Sequence, residues 1–465
     1  MSENIVTIVN PPRFFSQNIL ETELTEIGYP KENLNIKIIS KDQMTKYIEL
    51  KFSFPQLADK FFNDWNGKEI FEKYKWTAQL LKGPCNQTDE NINKKQYIYK
   101  KNYCKACDED FERKQNEDGL ILTNKKQLDA IKKTIGWLLK KLGETILKGG
   151  SVMNISLPVN IFDTRTMLQV FAYEIIESPF YFNLVYYLND PLEKLKYITV
   201  QFLTTVYKSV FIIKPFNPIL GETYQIKIGN LNCYLEQTEH KPPTANVYCF
   251  DDDGLYKIYG YLATTANTSV NSVLAVKKGS ITVEYKDGQK YQIFYPSVLV
   301  TGTTIGKKTF NLKNNCVIKD EKNQLGVHIK FNPDKKGLIS GFFSKKKNSM
   351  PDKFIGKIVK LDDIKFDKDK EKFKLDKKAK SICEITGEWT QGIKFGDTEY
   401  WNRSKSQIYN LYEMDYKLPS DSSLREDSLL WNEDKENEAQ LKKEEYEEIQ
   451  RKDRKLRENY NKNKK

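Results

Sequence analysis

This chain of 465 residues holds two histidines. One of them, His240, stands in "LEQTEHKPPTANVYCF" between Glu239 and Lys241, directly ahead of Pro242 and Pro243. An imidazole beside an ammonium, in a turn stiffened by prolines, has donors suited to an anion. Taken alone it reads equally as a turn histidine with polar neighbours. A second cation, Lys214, ends an apolar stretch and opens "KPFNPILGETY", where Pro215, Pro218 and Gly221 force turns. In "LKKEEYEEIQRK", Lys443, Glu447 and Arg451 are spaced by four, which aligns them on one helix face with Glu447 able to hold both cations. Spacing alone describes a surface ion-pair ladder worth about 0.3–0.5 kcal/mol per pair.

Other chemistries find little to build on. "TGTTIGKKT" looks like a P-loop but lacks one residue between its glycines and lies among alternating, strand-like runs. There is no GxSxG elbow and no HExxH, and no pair of carboxylates stands out, so the chain reads as a non-enzyme without a cofactor. Cys104 and Cys107 form a lone CxxC in "YCKACDED", with Cys85 the nearest other cysteine. A structural zinc takes four ligands, so a reduced pair and no metal site is the expectation.

The elements that must position these residues sit in a basic chain. The net charge of +12 and pI near 9.0 favour anionic partners, whether nucleic acid, acidic lipid headgroups or anionic ligands. "MSENIVTIVNPP" has neither a basic nor an apolar leader region, and the longest apolar run is broken by Lys208. Seven cysteines without extracellular signs indicate reduced thiols and a cytoplasmic protein.

Residues 1–82 read as a small unit with the order βαββαβ, which belongs to the ferredoxin-like group. "ADKFFNDWNGKEI" resembles the second helix and following turn of RNA-recognition-motif (RRM) domains. Thr7 and Glu49 stand where that family places stacking aromatics, although Tyr47 precedes. Stacking carries much of single-stranded RNA affinity, so RNA is not the expected partner and an RRM-like module for a protein partner is. Residues 83–118 read as a charged linker.

Residues 119–465 form the second unit. "NKKQLDAIKKTIGWLLKKLGETILKGG" is an amphipathic helix with Leu128, Ile131, Ile135, Leu138, Leu142 and Ile146 on one face and Trp137 beside it. It either packs on its own domain or lies on an anionic membrane. Two apolar helical segments follow, over residues 164–178 and 191–206. Short alternating runs separated by Asn, Gly and Asp turns then fill residues 207–331, which predicts an antiparallel sheet that closes to avoid exposed edges. Residues 344–380 are dense in lysine and read as a solvated loop, and a long charged helix covers residues 434–460.

"KPFNPILGETY" and "LEQTEHKPP" together resemble the signatures KPxNPxLGE and EQxSHHPP of the oxysterol-binding-protein-related lipid-transfer family. "SLPVNIF" from Ser156 resembles the segment joining that family's lid to its core, and "LPSDSSLREDSLL" from Leu418 resembles its LPPTDSRxRPD stretch. The resemblance implies an α+β fold: a near-closed antiparallel β-barrel with a hydrophobic tunnel, an N-terminal lid and flanking helices, preceded here by the ferredoxin-like unit. On that reading the lid covers about residues 120–160, the barrel about 199–400 and a C-terminal helical part about 418–465. Leu157 and Trp137 would stand at the lid and tunnel entrance. Lys214, Asn217, His240, Lys241, Lys443, Glu447 and Arg451 would hold a lipid headgroup. Glu239 and Lys241 replace the family's serine and second histidine, and Lys241 keeps a phosphate donor as a point charge.

The implied function is lipid exchange: a sterol or phosphatidylserine extracted from one membrane and swapped for phosphatidylinositol 4-phosphate at another, by a cytoplasmic protein peripheral at membranes. The other reading is a lipid-gated adaptor that recruits protein or RNA through the RRM-like unit.

Overall fold

Two patterns of period two become two sheets in the computed structural model, which describes residues 5–9, 11, 15–40, 46–66, 68–70, 76–77, 79–82, 111–112, 120–123, 125, 128–129, 133–134, 156–209, 214–269, 271–303, 306–333, 352–367, 372–405, 411–414 and 416–463. The smaller sheet holds β1 (Ile5–Val9), β2 (Leu34–Ser40), β3 (Lys46–Phe52) and β4 (Gln79–Lys82) in the order β2-β3-β1-β4, all antiparallel. Helices α1 (Gln17–Glu26) and α2 (Pro55–Trp65) follow β1 and β3. Val6, Ile8, Ile48 and Leu50 meet Leu20, Leu24, Ala58 and Phe61 in the core. Pro55 at the first position of α2 suits a helix start, where its missing N–H would have no partner. A two-residue-strand hairpin, Glu69–Ile70 with Trp76–Thr77, precedes β4.

The larger sheet is flanked by α3 (Met167–Glu174), α4 (Ser178–Tyr187) and α5 (Pro191–Lys208). Helix α3 begins with a capping box in which the Thr166 hydroxyl accepts from the Gln169 N–H and the Gln169 amide oxygen accepts from the Thr166 N–H. Helix α4 is buried from Ser178 through Val185, as expected of a helix apolar on all sides. Ahead of α3 lies β5 (Phe162–Thr166), which pairs in parallel with β6 (Lys214–Phe216).

The sheet itself includes β7 (Thr223–Ile228), β8 (Leu231–His240), β9 (Pro243–Asp251), β10 (Tyr256–Ser269), β11 (Ser272–Tyr285), β12 (Lys290–Phe294), β13 (Asn315–Asp320), β14 (Leu325–Phe331), β15 (Lys353–Lys360), β16 (Cys383–Glu388), β17 (Gly392–Phe395), β18 (Thr398–Asn402) and β19 (Leu411–Glu413), and also the strands Ser297–Thr301, Thr309–Lys313, Phe111–Glu112 and Leu120–Leu122. Antiparallel pairing runs from β19 to β7, through β8–β11 to β12, and on to β18. The pattern on β8 shows why the strands form: Leu231, Cys233, Leu235 and Gln237 are buried while Tyr234 and Glu236 face out. Gly229, at φ 58°, opens the two-residue turn from β7 to β8, a conformation that glycine adopts without steric cost. The expectation of an extensive antiparallel sheet is met.

Four sequence expectations shift. Leu120–Leu122, placed at the start of the lid, is a buried strand paired with Thr309 and Phe310. Phe111–Glu112, placed in the linker, pairs with it. Residues 199–208, which the family resemblance puts in the barrel, are the last turns of α5, in keeping with the helical period read over residues 191–206. The lysine-dense residues 344–380 contain β15 and a hairpin, Ile364–Asp367 with Lys372–Leu375, whose lysines point outward while Ile364 and Phe373 pack on Val317, Val359 and Phe294. The amphipathic lid helix, including Trp137, and the CxxC cysteines lie outside the described residues, apart from short helical pieces of the former around Leu128.

The chain then enters α6 (Glu426–Asn432) and α7 (Glu436–Asn463). Among the described residues, no helix is long and apolar enough to cross a membrane.

Candidate functional site

The site is built where β6, the turn between β8 and β9, and α7 meet. In the parallel pair β5–β6, Lys214 stands opposite Phe162. The rings of Phe162 and Phe216 stack at 5.1 Å, and with Val159 and Ala439 they form a separate small core. Leu157, Leu430 and Trp431 pack on it, and the Trp431 indole donates to the Phe162 carbonyl at 3.0 Å. This core fixes α7 against β5.

On it rests the first cationic group. The Lys214 ammonium lies 4.7 Å from the Phe162 ring centroid and donates to Asn217 Oδ1 at 2.7 Å. Lys443, 2% exposed, lies 5.1 Å from the same centroid. It donates to Glu447 at 2.6 Å and to the Ser156 hydroxyl at 2.7 Å. Lys214 stays open to solvent although protein rings it on most sides. Desolvation, Lys443 and Arg425 together pull its pKa down to about 8, against the pull of Glu447.

The second group lies farther along the helix. His240 is partly buried, and its Nδ1 is buried with no hydrogen-bond partner among the described residues. Desolvation, then Arg454, Lys241 and Arg451, lower its pKa, so the imidazole is held neutral beside three cations. Lys241 is exposed. The Glu239 carboxylate is turned to the Thr244 hydroxyl, which donates to it at 3.1 Å. The helix docks through Gln450, whose side-chain amide donates to the Pro218 carbonyl at 3.1 Å, and through Arg457, which donates to the Thr238 carbonyl at 2.9 Å.

Thus Lys214, Asn217, Lys443 and Glu447 meet around Phe162, and His240 and Lys241 meet Arg451 two turns on. One helix joins the groups, with Lys443 and Arg451 about 12 Å apart along its axis. Glu447 does not hold both cations, as their spacing predicts: Arg451 Nε instead donates to Glu448 at 2.9 Å, one residue nearer along the helix. Leu157, expected at a tunnel entrance, packs beside the site.

The sequence reading passes over three residues that build this region. Ser156 bonds Lys443, and Arg454 faces His240. Arg425 is buried and ties the turns together: it donates to the Asn217 carbonyl at 2.7 Å and to Glu222 at 2.8 Å, and grips Asp427 with two bonds of 2.9 Å. Its only signal is its place in "LPSDSSLREDSLL". Two interior ion pairs have no sequence signal at all. Lys208 pairs with Glu177, and Lys277 Nζ lies 3.9 Å from Glu174, whose carboxyl burial pushes up. Among the described residues, no His, Cys, Asp or Glu cluster is arranged for a metal.

The fold and site define an antiparallel β-sheet domain with a cluster of cations at one edge. The chain belongs to the oxysterol-binding protein family, whose model matches residues 144–465. It is 29% identical over 293 residues to Oxysterol-binding protein 9 of Dictyostelium discoideum, covering 62% of this chain and 68% of that one. It is 27% identical over 202 residues to Oxysterol-binding protein 4 of the same organism, covering 42% of this chain and 43% of the relative. The crystal structure of the Osh3 ORD in complex with PI(4)P from Saccharomyces cerevisiae shares the fold at a TM-score of 0.52 and 16% identity, covering 75% of this chain and 89% of that one.

Proposed function

We propose that this chain is a lipid carrier. It extracts a sterol or phosphatidylserine from one membrane, exchanges it for phosphatidylinositol 4-phosphate at another, and works in the cytoplasm, peripheral to the membranes it serves. The observation that carries this reading is the pairing of Lys214 and Lys443 over Phe162, with His240 and Lys241 of the β8–β9 hairpin meeting Arg451 farther along α7. Convergent donors of this kind suit a phosphate monoester. Belonging to the oxysterol-binding protein family supports a lipid as the molecule that carries it.

The sheet closes into a barrel around a tunnel, and the amphipathic segment ahead of residue 156 is its lid. The energetic need is plain. Each methylene costs about 0.8 kcal/mol in water, so a chain of about sixteen carbons is held in a bilayer by roughly 13 kcal/mol. A cavity that replaces the bilayer removes most of that barrier. The chemistry is transfer, with no catalysed bond change.

Residues 1–82 form a ferredoxin-like, RRM-like unit that recruits a protein. Thr7 is fully buried and Glu49 pairs loosely with Lys37 at 3.9 Å, so the sheet face offers RNA neither of two stacking rings. This supports an adaptor role, as an addition to transport or as an alternative to it.

Liposome transfer tests the reading. A labelled lipid should leave donor vesicles faster with the protein present, and faster again when acceptor vesicles carry phosphatidylinositol 4-phosphate. Binding without movement would leave the adaptor alone. Mass spectrometry of co-purified lipids identifies the second ligand.

A further inference from the structure

Helix α7 changes character along its length. Residues 436–450 carry six acidic side chains and two lysines, whereas residues 451–463 carry six basic side chains and two acidic ones. The first part lays Ala439, Lys443 and Gln450 against the domain. From Lys455 to Asn463 every residue is exposed. The charge gradient by itself suits the helix dipole, which favours acids at the start and bases at the end. The apolar side chains have no such explanation. Ile449, Leu456 and Tyr460 are 42, 68 and 60% exposed, and at about 100° per residue they fall within an arc of about 40°. Asp453 and then Arg457 follow the arc on one side, and Glu445, Lys452 and Lys455 on the other.

We infer that this second half of α7 is a docking surface for an anionic lipid bilayer. Ile449, Leu456 and Tyr460 enter the interfacial layer, while Lys452, Lys455 and Lys462 meet lipid phosphates. A helix with an apolar strip and a basic flank lies in the plane of such an interface, and each lysine near an anionic surface adds to the attraction. Arg451 and Arg454 of the same segment act on His240, and Arg457 donates to the Thr238 carbonyl. Arg451 and Arg454 stand about 140–160° round the helix from the centre of the strip, so a bilayer seated on the strip meets the side of α7 away from His240. The docking does not rest on the proposed function.

The test is vesicle flotation of the full chain on phosphatidylcholine vesicles with and without phosphatidylserine, none containing phosphoinositide. The wild type should float with the anionic vesicles and lose that binding at high salt. Leu456→Glu with Tyr460→Glu should weaken it about tenfold, and Lys452→Glu with Lys455→Glu by a similar factor. Both variants should bind a soluble short-chain phosphatidylinositol 4-phosphate within about twofold of wild type, which also reports correct folding. Unchanged flotation of both variants overturns the proposal. So does a wild-type dimer that Leu456→Glu dissociates without altering flotation, because the strip is then a contact between chains. If the wild type floats but ignores the short-chain phosphoinositide, the docking surface stands and the proposed function fails.

Discussion

Lys214 and Lys443 face one aromatic ring, their ammonium groups 4.7 and 5.1 Å from the centroid of Phe162. Two like charges share one quadrupole, and among the described residues only Lys443 has a carboxylate, Glu447, within hydrogen-bond reach at 2.6 Å. Lys214 has the neutral Asn217 instead. The arrangement leaves a cation whose charge an incoming anion would complete.

The first prediction is a pH dependence. Lys214 titrates at about 8 in the free protein, and a bound phosphate would raise that value. Binding therefore favours the protonated form: affinity for phosphatidylinositol 4-phosphate should be full below about 8 and fall as pH rises through the raised value. Below about 6 the phosphate itself loses charge, which sets the acid limit. Lys214→Arg, always charged, should remove the alkaline decline. A short-chain phosphoinositide titrated by calorimetry from neutral to alkaline pH measures this.

Removing donors should weaken the same ligand selectively. A charge-assisted hydrogen bond contributes about 1.5–3 kcal/mol, so Lys214→Ala and Arg451→Ala should each cost roughly tenfold to a hundredfold in phosphoinositide affinity. A neutral sterol should bind nearly as before. Lys241→His should hold affinity within about threefold if the lysine does the work of the histidine usual at that position. No loss in the double variant Lys214→Ala, Arg451→Ala would remove these residues from the site.

Arg425 should govern stability. Its guanidinium is buried against Glu222 and Asp427, so Arg425→Ala strands two buried carboxylates and should cost about 3–5 kcal/mol. Arg425→Lys keeps the charge without the fork and should lose less. Urea unfolding of the full chain compares them, and a change below about 1 kcal/mol in Arg425→Ala would contradict the network's role.

The boundary of the proposed lid has a sharp consequence. A deletion of residues 124–150 should leave a folded protein that no longer transports lipid. A deletion from 120 should also lose stability, because Leu120, Ile121 and Leu122 are each less than 5% exposed and pair with the sheet. Thermal unfolding and liposome transfer, run on both truncations, separate the two effects.

Much of this was legible before any coordinates. The β8 strand announces itself by alternation, and "KPFNPILGETY" and "LEQTEHKPP" mark segments that the fold does bring to one helix. What was not legible has physical causes. Charge density hid the hairpin at residues 364–375, although Ile364 and Phe366 on one strand, and Phe373 and Leu375 on the other, alternate with lysines in the period of a strand. Arg425, Glu222 and Asp427 reveal nothing singly, since only burial turns them into a network. The partner of Arg451 depended on which neighbouring glutamate its side chain could reach, a matter of rotamer and not of spacing.

One helix joins both groups of cations, and that makes it a ruler with fixed graduations. Inserting a single residue between Lys443 and Arg451 would swing everything beyond it by about 100° and slide it by about 1.5 Å. Arg451 would turn from His240, and the strip at Leu456 would face another direction. Four inserted residues would nearly restore the angle yet move Arg451 outward by about 6 Å. The segment thus tolerates no change of length, and the phase of the rod is as much a part of the proposed site as the charges mounted on it.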